Sequence, residues 1–323
     1  MRRCFSCLVP VLVLAFLFPG LGYGQEDPAR FPSKPVTFIM PIPPGSSTDL
    51  ACRLICKEAE RYLKQPVVFV NRPGGALAVG TAAVAKAKPD GYTVGFSGGP
   101  PLFFTPLLEN VPYDPIKDIR TVLRIGGVNF GVIVKADSQF KTMKDLAAFA
   151  KQNPKKLTYG TAGVNSMGHV TMEQVAKREG VQITHIPYKS TAEVQTALLG
   201  GHILFGAGDF NASLIESKQT RLVMLLKDEP SSDYPGVPTV KELYDLPYPM
   251  YISVITQRAV PDAIVQKLED AFAKAMKEPG YVSGMKELKL PIMYQSGKEI
   301  DAYVAQSYAY YSKLFKEMGI AKK

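Results

Sequence analysis

Tryptophan is absent from the 323 residues, histidine occurs three times and cysteine four times. The 38 Lys and Arg are scattered among 29 acids instead of forming a basic run. Nucleic-acid binding is therefore not expected, because such surfaces gather cations and stacking rings on one face. No apolar run after residue 24 reaches the ~20 residues a membrane-spanning helix needs. Cys52 and Cys56 stand four apart on a predicted helix, a spacing that rarely meets disulfide geometry, and no other Cys or His is near enough to complete a metal site. They read as small apolar fillers. Catalytic signatures are also missing. There is no Walker A or Rossmann fingerprint, and no G-x-S-x-G elbow, since Val164 stands where its first glycine belongs relative to Ser166. Ser166 and His169 could be paired as nucleophile and base, but three residues apart on one helix is usually a capping neighbourhood, and no orienting acid accompanies them. The chain is read as a non-enzyme that needs neither cofactor nor metal.

What is present begins with a leader. Arg2 and Arg3 precede the apolar run CLVPVLVLAFLF, and small residues at Gly22 and Gly24 close it, so residues 1–24 read as a cleavable secretory signal. Cys4 and Cys7 leave with it, and neither lies in a lipobox. Cleavage lowers the formal charge from +9 to +7, a moderate field suited to anionic ligands.

The remainder alternates. PVTFIM is a β-rich run, TDLACRLICKEAERYL has helical spacing, and QPVVFVNRPGG, AVGTAAVAKAKPDG and YTVGFSGG continue as strand, helix and strand. This is the pattern of a parallel sheet covered on both faces. It restarts after TVLRIGGVNFGVIVKADS with a helix that Thr142 caps and Asp145 boxes, and a second α/β unit then runs from about Gly131 to Tyr251. The later long amphipathic helices have too few strands for a third domain and are expected to return to the first. The boundaries are residues 25–130 plus 252–323 for lobe I and 131–251 for lobe II, joined by two crossing strands with a cleft between them. The stripe Tyr303, Tyr308, Tyr311 and Phe315 reads as a core-facing helix side.

Two junctions draw attention. PPGSSTD, Pro43 to Asp49, and YGTAGVNSMGH, Tyr159 to His169, each run from strand through a small-residue turn into a helix. A helix N-terminus leaves several amides unpaired and carries positive partial charge, so it can seat a carboxylate; equally, Ser47 or Thr48 could satisfy those amides by capping. Ser97, which ends the third strand in a further Gly/Ser cluster, is a candidate ligand-binding residue, as is Asp209 in the small-residue loop GAGDFNA.

FPSKP, PPGSSTD, QPVVFVNRPG, PDGYT, YDPIKD, YGTAGVNSMGH, HIPYKS and LLGGHI occur in that order along the mature chain. The series resembles the signature of the substrate-binding proteins of tripartite tricarboxylate transporters, the TctC or Bug receptors. The resemblance implies an α/β periplasmic binding protein of type II, a two-lobed Venus flytrap. Such a receptor is expected to be a periplasmic monomer that captures a small carboxylate and delivers it to a permease of one large and one small integral membrane subunit. A receptor feeding a membrane sensor kinase is the alternative. Carried over by motif, the ligand-binding positions are Pro44, Gly45, Ser46, Ser47 and Asp49 in the first loop, Thr161, Ala162, Gly163, Ser166 and His169 in the second, and Lys189, Ser190 and Thr191 after HIPYK. Departures from the pattern are Ser46 for a usual glycine, Asn165-Ser166 for Gly-Thr, and GGPPLFF for a more polar stretch. Phe103 or Phe104 then either lines an apolar pocket wall or belongs to the core. Asp209 either reads a ligand ammonium or hydroxyl or caps the helix that begins near Asn211.

Overall fold

A computed structural model describes residues 27–75 and 77–322; the leader at 1–24, with Cys4 and Cys7, lies outside the described residues. The described chain builds two mixed sheets. The first runs β11-β4-β10-β3-β1-β2, from β1 (Val36–Met40), β2 (Val67–Asn71), β3 (Thr93–Ser97), β4 (Ile119–Gly127), β10 (Tyr251–Gln257) and β11 (Ile292–Ser296). The second runs β7-β6-β8-β5-β9, from β5 (Phe130–Lys135), β6 (Thr158–Thr161), β7 (Thr184–Pro187), β8 (Phe205–Asp209) and β9 (Thr220–Leu225). β1 pairs in parallel with β2 and β3, and β6 with β7 and β8, so the carboxyl ends of each set share one edge. Open α/β sheets bind ligands at that edge.

The helices are α1 (Ser47–Leu63), α2 (Ala78–Ala85), α3 (Pro100–Phe103), α4 (Thr105–Leu108), α5 (Met143–Gln152) and α6 (Met167–Glu179). They continue with α7 (Thr191–Leu199), α8 (Ala212–Glu216), α9 (Val240–Tyr244), α10 (Asp262–Ala275), α11 (Pro279–Glu287) and α12 (Gly297–Glu317). None of the described helices is long and apolar enough to cross a membrane. α5 starts with the expected box: the Thr142 side chain accepts from the Asp145 amide while the Asp145 carboxylate accepts from the Thr142 amide. The C-terminal helices do return to the first sheet, α10 beside α1 and α12 against β4. They bring β11 with them, an edge strand whose half-exposed residues carry no clear apolar alternation in the sequence.

Phe38, Ile55, Phe272 and Tyr281 fill the core under α1, α10 and α11. Across the sheet, Phe103 and Phe104 are fully buried against Tyr311 and Phe315, in edge-on and stacked ring pairs. The core reading of both phenylalanines holds, and the pocket-wall reading fails. The helix stripe behaves as expected where it is deepest, at Tyr311 and Phe315. Cys52 and Cys56 are buried, unbridged thiols whose pKa burial pushes well up, as for inert fillers.

The chain passes from the first sheet to the second between β4 and β5, at Val128-Asn129, and returns between β9 and β10. Side chains tie the sheets together near these crossings. Tyr310 on α12 donates to Gln174 Oε1 on α6 (2.6 Å), and Asn129 Nδ2 donates to the Lys289 carbonyl (2.6 Å).

Candidate ligand-binding cleft

The first loop follows β1. Gly45 has φ +97°, a left-handed conformation that disfavours any side chain although space around it is open. Ser46 does not face outward as an extra donor: it is the N-cap of α1, its Oγ accepting from the Asp49 amide (3.1 Å). Asp49 is 1% exposed and also turned inward, accepting from the Gly45 amide (3.0 Å), Arg53 Nε (3.0 Å) and Asn71 Nδ2 (2.8 Å). Burial alone would raise its pKa, but the hydrogen bonds from Arg53, Asn71 and Gly45 outweigh it and hold the carboxyl below its ordinary value. Asp49 thus braces the loop. Pro44 and Ser47 are exposed, and the amides of Ser47 and Thr48 find no acceptor among the described residues. Ser97 is fully buried, its carbonyl accepting from the Ser253 hydroxyl, so its side chain does not face the cleft as a surface group.

The second loop follows β6. Gly163 (φ +116°) and Asn165 (φ +59°) both adopt left-handed backbone, which explains how Asn, the residue most tolerant of that region, stands in for a glycine. Thr161 Oγ1 donates to the Gly163 carbonyl (2.9 Å), so it accepts from Ser166 Oγ (3.1 Å) and from His185 Nε2 (2.8 Å). Ser166 is the N-cap of α6, its Oγ also accepting from the His169 amide. His169 Nδ1 accepts from the Asn165 amide (3.1 Å), and its ring stacks on His185 with centroids 4.0 Å apart. Burial, then the neighbouring His169, lowers the His185 pKa to about 4; burial also lowers that of His169, partly offset by Glu173. Both rings are neutral at pH 7. Among the described residues the Ser166 hydroxyl and the His169 ring share no hydrogen bond, so the couple is a brace for the turn. Ala162 is exposed at the tip. Gly168 lets α6 begin hard against β8, since a Cβ there would stand 2.3 Å from the Ala207 carbonyl oxygen.

The third element follows β7. Ser190 caps α7 by accepting from the Glu193 amide (3.3 Å), and Glu193 accepts from the Lys189 amide (3.0 Å), leaving the Lys189 side chain exposed. Thr191, at the first turn of α7, faces a cavity of about 440 Å³ that Ser47 and Asp209 also line. This cavity draws on both sheets, and one wall of it is the segment 287–290 with Asn129. Sequence reasoning missed that wall, because nothing local marks Lys289 and Asn129 as neighbours. The helix at Asn211 is capped by Asn211 itself, through Ser213, so Asp209 is not the cap. Asp209 is exposed, yet it lies in the cavity lining, where nearby protein partly desolvates its carboxylate. That setting pushes its pKa up to about 6 through desolvation, slightly offset by the Phe210 amide. Of the expected positions, the cavity thus gathers Ser47, Thr191 and Asp209, whereas Ser46, Asp49, Thr161, Ser166, His169 and Ser190 hold their loops in shape.

Two α/β sheets, twice-crossed and facing each other across a cavity at their strand ends, define a two-lobed solute-binding protein. The family model described as the tripartite tricarboxylate transporter family receptor matches residues 51–320, and the chain belongs to that family. A UPF0065 protein in the gbd 5′ region of Cupriavidus necator is 33% identical over 301 residues, covering 93% of this chain and 92% of its own. The crystal structure of a ligand-free TctC solute binding protein from Polaromonas has TM-score 0.79 and 25% identity, covering 89% of this chain and 99% of its own. R. palustris Rpa4515 with adipate has TM-score 0.73 and 26% identity, covering 90% and 99%.

Proposed function

We propose that the chain is a periplasmic receptor for a small carboxylate, which it holds in the cleft between lobe I, residues 25–130 plus 252–323, and lobe II, residues 131–251. The carrying observation is that Ser47 and Thr191, each in the first turn of a helix of one sheet or the other, line one 440 Å³ cavity with Asp209. Partial positive charge at two facing helix starts suits a carboxylate. The relative from R. palustris holds the dicarboxylate adipate. Pro44, Gly45, Ala162, Gly163 and Lys189, carried over by motif, are further ligand contacts once the lobes close. Asp209 reads a hydroxyl or ammonium on the ligand, since a bare carboxylate facing it at neutral pH would be repelled. Lobe closure around the ligand gives the form that the two integral membrane subunits of the transporter recognise. The receptor acts as a monomer, without catalysis.

A thermal-shift panel of straight-chain dicarboxylates, 2-hydroxy acids and amino acids tests this. A ligand that binds only the folded state at 100 times its Kd adds about 2.7 kcal/mol of stability and a clear rise in Tm. The best hit then goes to calorimetry. If no member of the panel raises Tm, the carboxylate reading fails.

A further inference from the structure

A second cavity, of about 350 Å³, lies where the chain returns from the second sheet to the first. Arg124 enters it from β4, Lys227 from just after β9, Tyr251 from the start of β10 and Tyr303 from α12. It shares no lining residue with the ligand cleft. Neither cation makes a close ion pair among the described residues, although Asp228, Glu229 and Glu299 also line the cavity. Arg124 is 7% exposed and pinned by the Gly126 carbonyl, Gln295 Oε1 and Met293 Sδ, but its nearest carboxylate oxygen, on the half-exposed Glu229, is 3.9 Å away. Lys227 makes no ion pair or hydrogen bond among the described residues. The Tyr251 hydroxyl is buried with no partner there either. The other acids are committed: Asp228 accepts from Tyr303 and from the Tyr248 amide, and Glu299 accepts from Ser296.

From this convergence of donors we propose a second binding site, at the hinge, for a small oxyanion, whether inorganic phosphate or the carboxylate of an organic acid. The two cations can only donate and the phenol can donate as well, so a guest that accepts from all three satisfies them together. Water could bond each in turn but brings no charge. Burial lowers the pKa of both Arg124 and Lys227, and the attraction of Glu229 and other acids does not make up the difference, so each gains from a further negative charge. Glu229 is the tethered competitor: the anion enters by displacing its weak, long pairing with Arg124.

The test uses the mature protein labelled with [13C-methyl]methionine, because Met250 lines the cavity. Inorganic phosphate and acetate are titrated separately at constant ionic strength. A saturable shift of the Met250 methyl is expected with at least one of them, and the tighter arm identifies a tetrahedral or a planar guest. Lys227→Gln should weaken binding about tenfold by removing one charge-assisted donor. Glu229→Gln should tighten it about threefold by removing the competitor, a gain that partial unfolding cannot mimic. No saturable Met250 shift by about 50 mM of either anion, or a Kd that neither substitution moves, overturns the proposal.

Discussion

Ser47→Asp separates the ligand seat from the fold, because the two respond with opposite signs. Ser47 is the first residue of α1 and is exposed toward the cavity. An acid at that place favours the helix by about 0.3–1 kcal/mol through the partial charge of its N-terminus, so the melting temperature at pH 7 should hold or rise slightly. A cavity of 440 Å³ is only about 9 Å across if taken as a sphere. A ligand carboxylate seated on the Ser47 amide then lies about 4–5 Å from the new one. Like charges at 4 Å repel by about 4 kcal/mol at an effective dielectric of 20; water in an open cleft halves this to roughly 2. Calorimetry with the carboxylate that raises Tm most should therefore show affinity falling about 30-fold. The loss should shrink as salt rises from about 0.05 to 0.5 M. Ser47→Ala keeps the backbone donor and should cost less than about threefold. Ser47→Asp within about twofold of wild type, or Ser47→Ala as damaging as Ser47→Asp, would refute the helix-terminus argument.

Three further outcomes are expected. The Asp209 pKa of about 6 lies above an ordinary aspartate value, so the folded state holds its proton more tightly and the group destabilises progressively as pH rises from about 4 to 6. Asp209→Asn should melt higher than wild type at pH 7 and equally below pH 4; in ligand titrations, an ammonium-bearing acid should bind better above pH 6 and a plain dicarboxylate better below it. Asp49→Asn leaves Arg53 and the Gly45 amide without their buried carboxylate and should cost about 2 kcal/mol in chemical denaturation, reduced from the usual buried-pair figure because Arg53 is 40% exposed. Phe104→Ala empties a site packed against Tyr311 and Phe315 and should cost about 3–5 kcal/mol, with ligand affinity unchanged because the ring is core.

Much of the architecture was legible because it is written in local chemistry. Period-two and period-3.6 patterns, the Thr142–Asp145 box and the paired small-residue turns each depend on neighbours a few residues apart. β11 was not, since an edge strand with exposed Ile292 and Tyr294 lacks the alternation that a buried strand needs. The site divides the same way. Its loops were located, but which hydroxyl or acid faces the cavity was not, because orientation is set by partners distant in sequence. Asp49 turns inward to reach Asn71, and Thr161 is held by His185, 24 residues on. The wall at Lys289 depends on Asn129, 160 residues away.

The capping hydroxyls and the anion seat are not rivals, although the sequence left them as alternatives. Ser46 and Ser190 each satisfy the amide three residues on, at Asp49 and Glu193, and the first two amides of α1 and α7 stay outside the intrahelical pattern. A cap of this kind takes one donor and fixes the direction of the remaining ones. Fixed donors lose no rotational freedom when an anion arrives, which is the condition for a small ligand with few contacts to bind well. The braces behind them serve the same end. With Asp49 saturated by three donors, His185 bonded to Thr161 and His169 to the Asn165 amide, neither loop offers a side-chain charge to the cleft. Selection among carboxylates therefore falls to groups that are not part of the braces, which in the cavity lining are Asp209, Glu287 and the Glu216-paired Lys289.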